Sequence, residues 1–147
     1  MRVLVAVDDS PGSRHAVKSV ASRPWPAGSV FRVLSVFQIA LPSNAAGGGI
    51  PPASRRAYTA AVIRPAENAV SKASATLARS GLTADTKVLE GHPGKTIVAE
   101  AKRWKADLIV LGSRGLSKGL RLLLGSVATY VSANADCSVE IVRSRKR

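Results

Sequence analysis

A chain of 147 residues with 22 Lys and Arg against 9 Asp and Glu carries a formal charge of +13, with 46% apolar and only 4% aromatic residues. That length suits one domain over residues 1–147, whose core must be built from Val, Leu, Ile and Ala. A single cysteine, Cys137, excludes an internal disulfide, and two histidines far apart, His15 and His92, argue against a zinc site or a catalytic triad.

Met1 leads directly into Val3-Leu4-Val5-Ala6-Val7, an unbroken apolar run of the kind a strand shows when both its faces are buried. No leader pattern precedes it and no apolar run approaches a membrane span, which fits a cytoplasmic protein. Asp8-Asp9-Ser10-Pro11 ends the strand, with Ser10 as the expected N-cap and Pro11 in the first helical position. Asp8 at this place also suits a plain capping role, because the helix dipole stabilises a carboxylate there. Ala16, Val17, Val20 and Ala21 give that helix its buried stripe, and Pro24-Trp25-Pro26 stops it. Val30 to Phe37 reads as the second strand, so Val36 suits a core position. Residues 39–57, rich in Gly, Pro and Ala, read as a mobile surface loop.

A long helix follows, with Tyr58, Ala61, Val62, Ala66, Ala69, Val70, Ala73 and Leu77 at steps of three and four. Pro65 falls inside it and predicts a kink, and Ser80-Gly81 closes it. Thr83 to Leu89 alternates polar and apolar, as an edge strand would. The next helix, from about Gly94 to Lys105, is expected to bury Ile97, Val98, Ala101 and Trp104. Gly91-His92-Pro93-Gly94-Lys95-Thr96 before it ends like a Walker A loop, but Leu89 stands where the first glycine is needed and Pro93 lacks an N–H. It reads as a strand-to-helix turn, with His92, like His15, on the surface. Leu108 to Leu111 is again fully apolar. Ser126 to Asn134 reads as a helix and Val139 to Val142 as a last strand, with Cys137 a small buried filler and a basic tail at 143–147.

Strands alternating with helices predict right-handed crossovers and a parallel sheet covered on both faces. Ligands of such sheets sit outside the carboxyl ends of the strands, at the point where strand order reverses. The two fully apolar strands end in Asp8 and Gly112, and the second runs on as Gly112-Ser113-Arg114-Gly115, then Gly125-Ser126-Val127. Glycines let backbone N–H groups approach an anion and reach positive φ cheaply, and Ser126 stands where an N-cap is expected at the positive end of a helix dipole. The chemistry predicted is a phosphate site.

The spacing Gly-x2-Gly-x9-Gly-Ser resembles the nucleotide-binding signature of the universal stress protein family. The resemblance extends along nearly the whole chain, through Val5-Ala6-Val7-Asp8 with Ser10, Glu90-Gly91-His92-Pro93, Ala106 to Ser117, and Leu123-Leu124-Gly125-Ser126-Val127. It implies a five-stranded parallel sheet in the order 3-2-1-4-5, Rossmann-like, with helices on both faces. It also implies ATP, AMP or ADP as ligand, with or without Mg²⁺. The base and ribose would lie near Asp8, the Ala6 backbone and Val36, and the phosphates along Gly112, Gly115, Gly125, Ser126 and Val127. The chain departs from the family pattern at Asp9 (usually glycine), which puts an extra carboxylate near the ligand. Ser35 replaces a usual histidine. Cys137-Ser138-Val139 lacks the usual proline, and Glu140 interrupts the apolar last strand, which weakens the expectation of dimer pairing there.

Function is therefore expected to be adenine-nucleotide binding by a stress-response module. Binding would order the loop from 112 to 125 and present a changed surface to a partner or a second subunit. Lys118 and Arg121 are expected to help neutralise phosphates. No catalytic acid–base pair and no metal-binding carboxylate cluster is apparent, so at most slow hydrolysis is expected. The alternative is a basic module that binds nucleic acid or acidic partners without nucleotide. The positive charges are spread along the chain with no interleaved aromatics, which predicts at most non-specific nucleic-acid binding.

Overall fold

The structure is a computed structural model that describes residues 1–40, 51–115 and 124–143. Its elements, in chain order, are β1 (Arg2–Ala6), α1 (Pro11–Ala21), β2 (Val30–Phe37), α2 (Pro52–Arg79), β3 (Ala84–Glu90), α3 (Pro93–Trp104), β4 (Leu108–Gly112), α4 (Ser126–Asn134) and β5 (Ser138–Val142). The strands form one five-stranded parallel sheet in the order β3-β2-β1-β4-β5, as the resemblance implied.

The apolar runs of β1 and β4 are explained by this order, because both strands have neighbours on either side and helices over both faces. Val3, Val5 and Val7 face one layer, where Ala16, Val17 and Val20 of α1 meet Ala69, Val70, Ala73 and Leu77 of α2. Leu4 and Ala6 face the other, packed with Leu34, Ile109 and Leu111 against Ile97 and Ala101 of α3 and Ala128 and Val131 of α4. β3 is an edge strand, and its exposed Asp85 and Thr86 account for the polar character of its sequence.

The expected loop at 39–57 is shorter than its composition indicated. α2 begins at Pro52, because Pro52 suits the first helical turn and Arg and Ala propagate it, so 52–57 is helical. Residues 41–50 of that loop, and 144–147 of the basic tail, lie outside the described residues. α2 continues through Pro65, and its buried positions begin only at Ala66, so the proline marks where the helix meets the sheet.

α3 packs less deeply at its ends than its periodicity indicated. Val98 and Trp104 are only half-buried, and the guanidinium groups of Arg2 and Arg32 lie over the Trp104 ring, 5.0 and 4.7 Å from its centroid. Glu100, in contrast, is buried. It accepts hydrogen bonds from Arg103 at 2.6 Å, Arg32 at 2.8 Å and Lys87 at 3.2 Å.

Candidate functional site

The site is built where β1 and β4 end side by side. At the end of β1, the Asp8 N–H donates to Ser13 Oγ at 3.0 Å, and Asp8 Oδ1 accepts from the Ser10 N–H at 3.1 Å and from the Ser10 hydroxyl. Ser10 is the N-cap of α1 as expected, its Oγ accepting the Ser13 N–H at 3.1 Å. Half of the Asp8 carboxylate is thereby spent on the turn. Its other oxygen, Oδ2, faces Gly115, where a Cβ would lie 2.5 Å away.

At the end of β4, the chain is held by three contacts. The Ser113 N–H donates to Val142 O at 2.9 Å, the Gly125 N–H donates to Ser113 O at 2.8 Å, and the Ser10 hydroxyl donates to Arg114 O at 3.4 Å. The two ends of the glycine loop are thus clamped together, and a Cβ on Gly125 would meet Arg114 Cα and Ser113 O at 3.3 Å. Gly112 has a different reason to be glycine. A Cβ there would lie 2.5 Å from the Gly12 carbonyl carbon, so this residue lets the first turn of α1 pack on the strand end.

The expectation of positive φ at these glycines is overturned. Among the described residues the left-handed region is occupied by Gly28, Gly81, Gly91 and Lys105, and not by Gly112, Gly115 or Gly125. Close approach, not backbone handedness, selects glycine in the motif. The expected cap is corrected too. Gly125 is the N-cap of α4 and Ser126 its first helical residue, with no side chain hydrogen-bonded to the cap. The helix starts one residue earlier than a serine cap requires because Gly125 is pinned in extended backbone by its bond to Ser113 O. Among the described residues no side chain accepts from the first N–H groups of α4, which stand at the positive end of the helix dipole.

Ala6, Asp8, Val36, Gly112, Gly115, Gly125, Ser126 and Val127 all line one cleft of about 230 Å³. Leu34, Pro93, Ile97 and Leu111 add apolar walls, and Arg114 lines it from the loop. Sequence reasoning passed over Pro93 and Ile97. Their signal was present, since α3 starts where β3 ends and so opens at the same end of the sheet. The Walker-like segment is a strand-to-helix turn, and His92 does more than face solvent: its Nδ1 accepts the Lys95 N–H at 3.4 Å and caps α3. Asp9 does not enter the cleft. It turns to α2 and meets Lys72 Nζ at 3.3 Å and Arg14 at 3.8 Å, so the extra carboxylate is directed away from the glycine loop. Lys118 and Arg121 lie outside the described residues. Among the described residues no three His, Cys, Asp or Glu side chains converge to hold a metal ion. Nor, among them, is any helix long and apolar enough to cross a membrane.

An open parallel sheet with a glycine-lined crevice at the reversal point of its strand order defines a doubly wound α/β protein with a ligand-type cleft. The chain belongs to the universal stress protein family, whose sequence profile matches residues 1–143. It is 46% identical over 63 residues to the universal stress protein Sll1388 of Synechocystis, a match that spans 43% of this chain and 41% of that one. It is also 46% identical over 67 residues to the universal stress protein MJ0531 of Methanocaldococcus jannaschii, spanning 46% and 39%. These matches cover less than half the length of either relative. Among solved structures, universal stress protein UspA from Lactobacillus plantarum superposes with a TM-score of 0.76 at 25% identity, covering 97% of both chains. A universal stress protein in complex with cAMP superposes at 0.71 with 24% identity, covering 99% of this chain and 98% of that one. The universal stress protein from Archaeoglobus fulgidus in complex with dAMP gives 0.67 at 24% identity, covering 96% of each.

Proposed function

We propose that the protein is a nucleotide-dependent regulatory module that binds an adenine nucleotide, ATP or its AMP and ADP relatives, in the cleft between β1 and β4. One observation carries this: the N-terminus of α4, without a side-chain cap, opens into the same cleft as Asp8 and the closely approached glycines. Backbone N–H groups at a helix N-terminus suit phosphate oxygens. Asp8 Oδ2 suits a ribose hydroxyl, and the apolar walls around Val36 suit a base. The cAMP and dAMP of the two structural relatives support the adenine class.

On this reading Gly112, Gly115, Gly125, Ser126 and Val127 surround the phosphates, with Mg²⁺ arriving on the nucleotide. The protein acts by binding rather than by turnover, with at most slow hydrolysis, and it meets its ligand in the cytoplasm. It acts as a homodimer, because β3 and β5 leave exposed edges that a second subunit can pair.

Mass spectrometry of ligand released from the purified, denatured protein tests the reading, together with melting scans with and without millimolar ATP and Mg²⁺. An adenine nucleotide in the eluate or an upward shift in melting temperature supports it. No released nucleotide, no shift and no heat in calorimetry would transfer the function to a basic interaction module.

A further inference from the structure

A second depression lies beside the cleft, between α1 and α2, and shares Asp8 and Ser13 with it. Its floor is aliphatic and made of small side chains, Val17 from α1 with Ala69 and Ala73 from α2. Its rim is cationic, with Arg14 and Lys18 one helical turn apart on α1 and Lys72 across from them on α2. Two carboxylates line it: Asp8, shared with the cleft and held on one oxygen by Ser10, and Asp9, which sits between cations of both helices, 3.3 Å from Lys72 and 3.8 Å from Arg14.

We propose that this groove docks an acidic polypeptide segment, one whose carboxylates alternate with aliphatic side chains. The proposal does not depend on the nucleotide reading. Asp9 already shows that a carboxylate is held there by α1 and α2 together. The side chains of Arg14, Asp9 and Lys72 are 57%, 45% and 67% exposed, and ion pairs that wet contribute little. An incoming Glu or Asp therefore exchanges with Asp9 at small cost, leaving three rim cations for the partner. Small floor residues leave room for Leu or Val side chains from that segment, and burying them supplies the affinity. The +13 charge of the whole chain attracts an acidic partner from a distance and raises its association rate. A nucleic acid fits less well. Among the described residues no aromatic side chain lines the groove to stack on a base.

The test is fluorescence anisotropy with a fluorescein-labelled peptide of alternating Glu and Leu, titrated with the full chain at physiological salt. Saturable binding is expected, weakened about fivefold by Arg14→Glu and by Lys72→Glu, since each reversal turns an attraction into a repulsion. Asp9→Asn should tighten binding by about twofold, because the internal competitor is removed. Lys102→Glu changes net charge by the same amount on α3, across the sheet, and should leave affinity unchanged. Lys72→Gln serves where circular dichroism shows that the reversal has disturbed the fold. Ser126→Ala, which alters the cleft and not the groove, should keep peptide binding, which separates this groove from the nucleotide site. The proposal is overturned by absence of saturable binding or by Lys102→Glu weakening it as much as Lys72→Glu. It is equally overturned by a single-stranded oligonucleotide that displaces the peptide and depends on the same rim residues.

Discussion

Gly115 presses its backbone against the carboxylate of Asp8, so closely that a methyl group on it would come within 2.5 Å of Oδ2. That close approach sets the loop after β4 beside the end of β1. Gly115→Val must displace that carboxylate from the cleft. Affinity for ATP is expected to fall by at least about a hundredfold, through loss of a charge-assisted contact and of close backbone approach. Lys95→Ala, in the Walker-like turn, should leave affinity unchanged. Titration calorimetry on the two variants, with circular dichroism to establish folding, checks the pair. Loss of binding in Lys95→Ala with retention in a folded Gly115→Val would put the site elsewhere.

Gly112 and Gly12 should report on stability instead. A Cβ on Gly112 would lie 2.5 to 2.8 Å from the backbone of Gly12 and Ser13, and one on Gly12 would lie 2.5 Å from Arg114 O. Backbone cannot move aside as a flexible side chain can. Gly112→Ala and Gly12→Ala are each expected to cost about 1–3 kcal/mol, in the range of overpacked interiors. Urea denaturation gives the comparison, and a midpoint equal to that of the parent would show that α1 shifts at no cost.

The sheet order and the clustering of the candidate site residues in one cleft were legible in the sequence for different reasons. Val3, Val5 and Leu4, Ala6 alternate between two helical layers, which is why an unbroken apolar run marks an interior strand. Asp8 and Gly112 follow two such runs, so topology alone brings them together. Glu100 was not legible. Its partners Arg32 and Lys87 come from β2 and β3, and only the strand register, which sets Arg32 beside Asp85, decides that they meet a helix residue. The direction of Asp9 was equally hidden, since it depends on Lys72 of a helix far along the chain. The α4 cap shifted by one residue because Gly125 is fixed by a bond to Ser113, a contact that local cap preferences do not contain.

Ser10 and Ser126, both expected to cap helices, differ in what they hold. Ser10 is 1% exposed and its hydroxyl oxygen accepts the Ser13 N–H, so Ser10→Ala should cost about 1–2 kcal/mol of stability. Ser126 is exposed and caps nothing, so Ser126→Ala should change stability by no more than about 0.5 kcal/mol. Its ATP affinity should fall by roughly fivefold through one lost hydroxyl contact. Thermal melts with and without ATP separate the two effects. Equal destabilisation of both variants would contradict the placement of the cap at Gly125.

Glu140 is held by Arg23 in a fork, with contacts of 2.8 and 3.0 Å, so its charge is paired within the subunit and does not by itself prevent β5 from pairing. A homodimer is expected by light scattering, and it should persist in Glu140→Ala. A monomer at high protein concentration would show that the β5 edge is left unpaired.

The Glu100 cluster makes stability depend on pH in a definite direction. Burial pushes the carboxyl up, but hydrogen bonds from Arg103, Lys87 and Arg32 and the charge of Lys87 outweigh it, so it titrates below its ordinary value near 4.5. Below that ordinary value the unfolded chain takes up the proton before the folded chain does. The stabilisation is therefore complete above pH 4.5 and disappears as pH falls through the depressed value of the folded state. Glu100→Gln leaves three cations gathered around a neutral amide and is expected to cost about 2–4 kcal/mol at neutral pH. Urea denaturation of parent and variant at about pH 7 and about pH 3 gives the difference directly, since the other carboxylates are common to both and cancel. That difference should shrink toward the acid side. A difference that stays constant between the two conditions would mean that Glu100 stabilises by its shape and hydrogen bonds, and not by its charge.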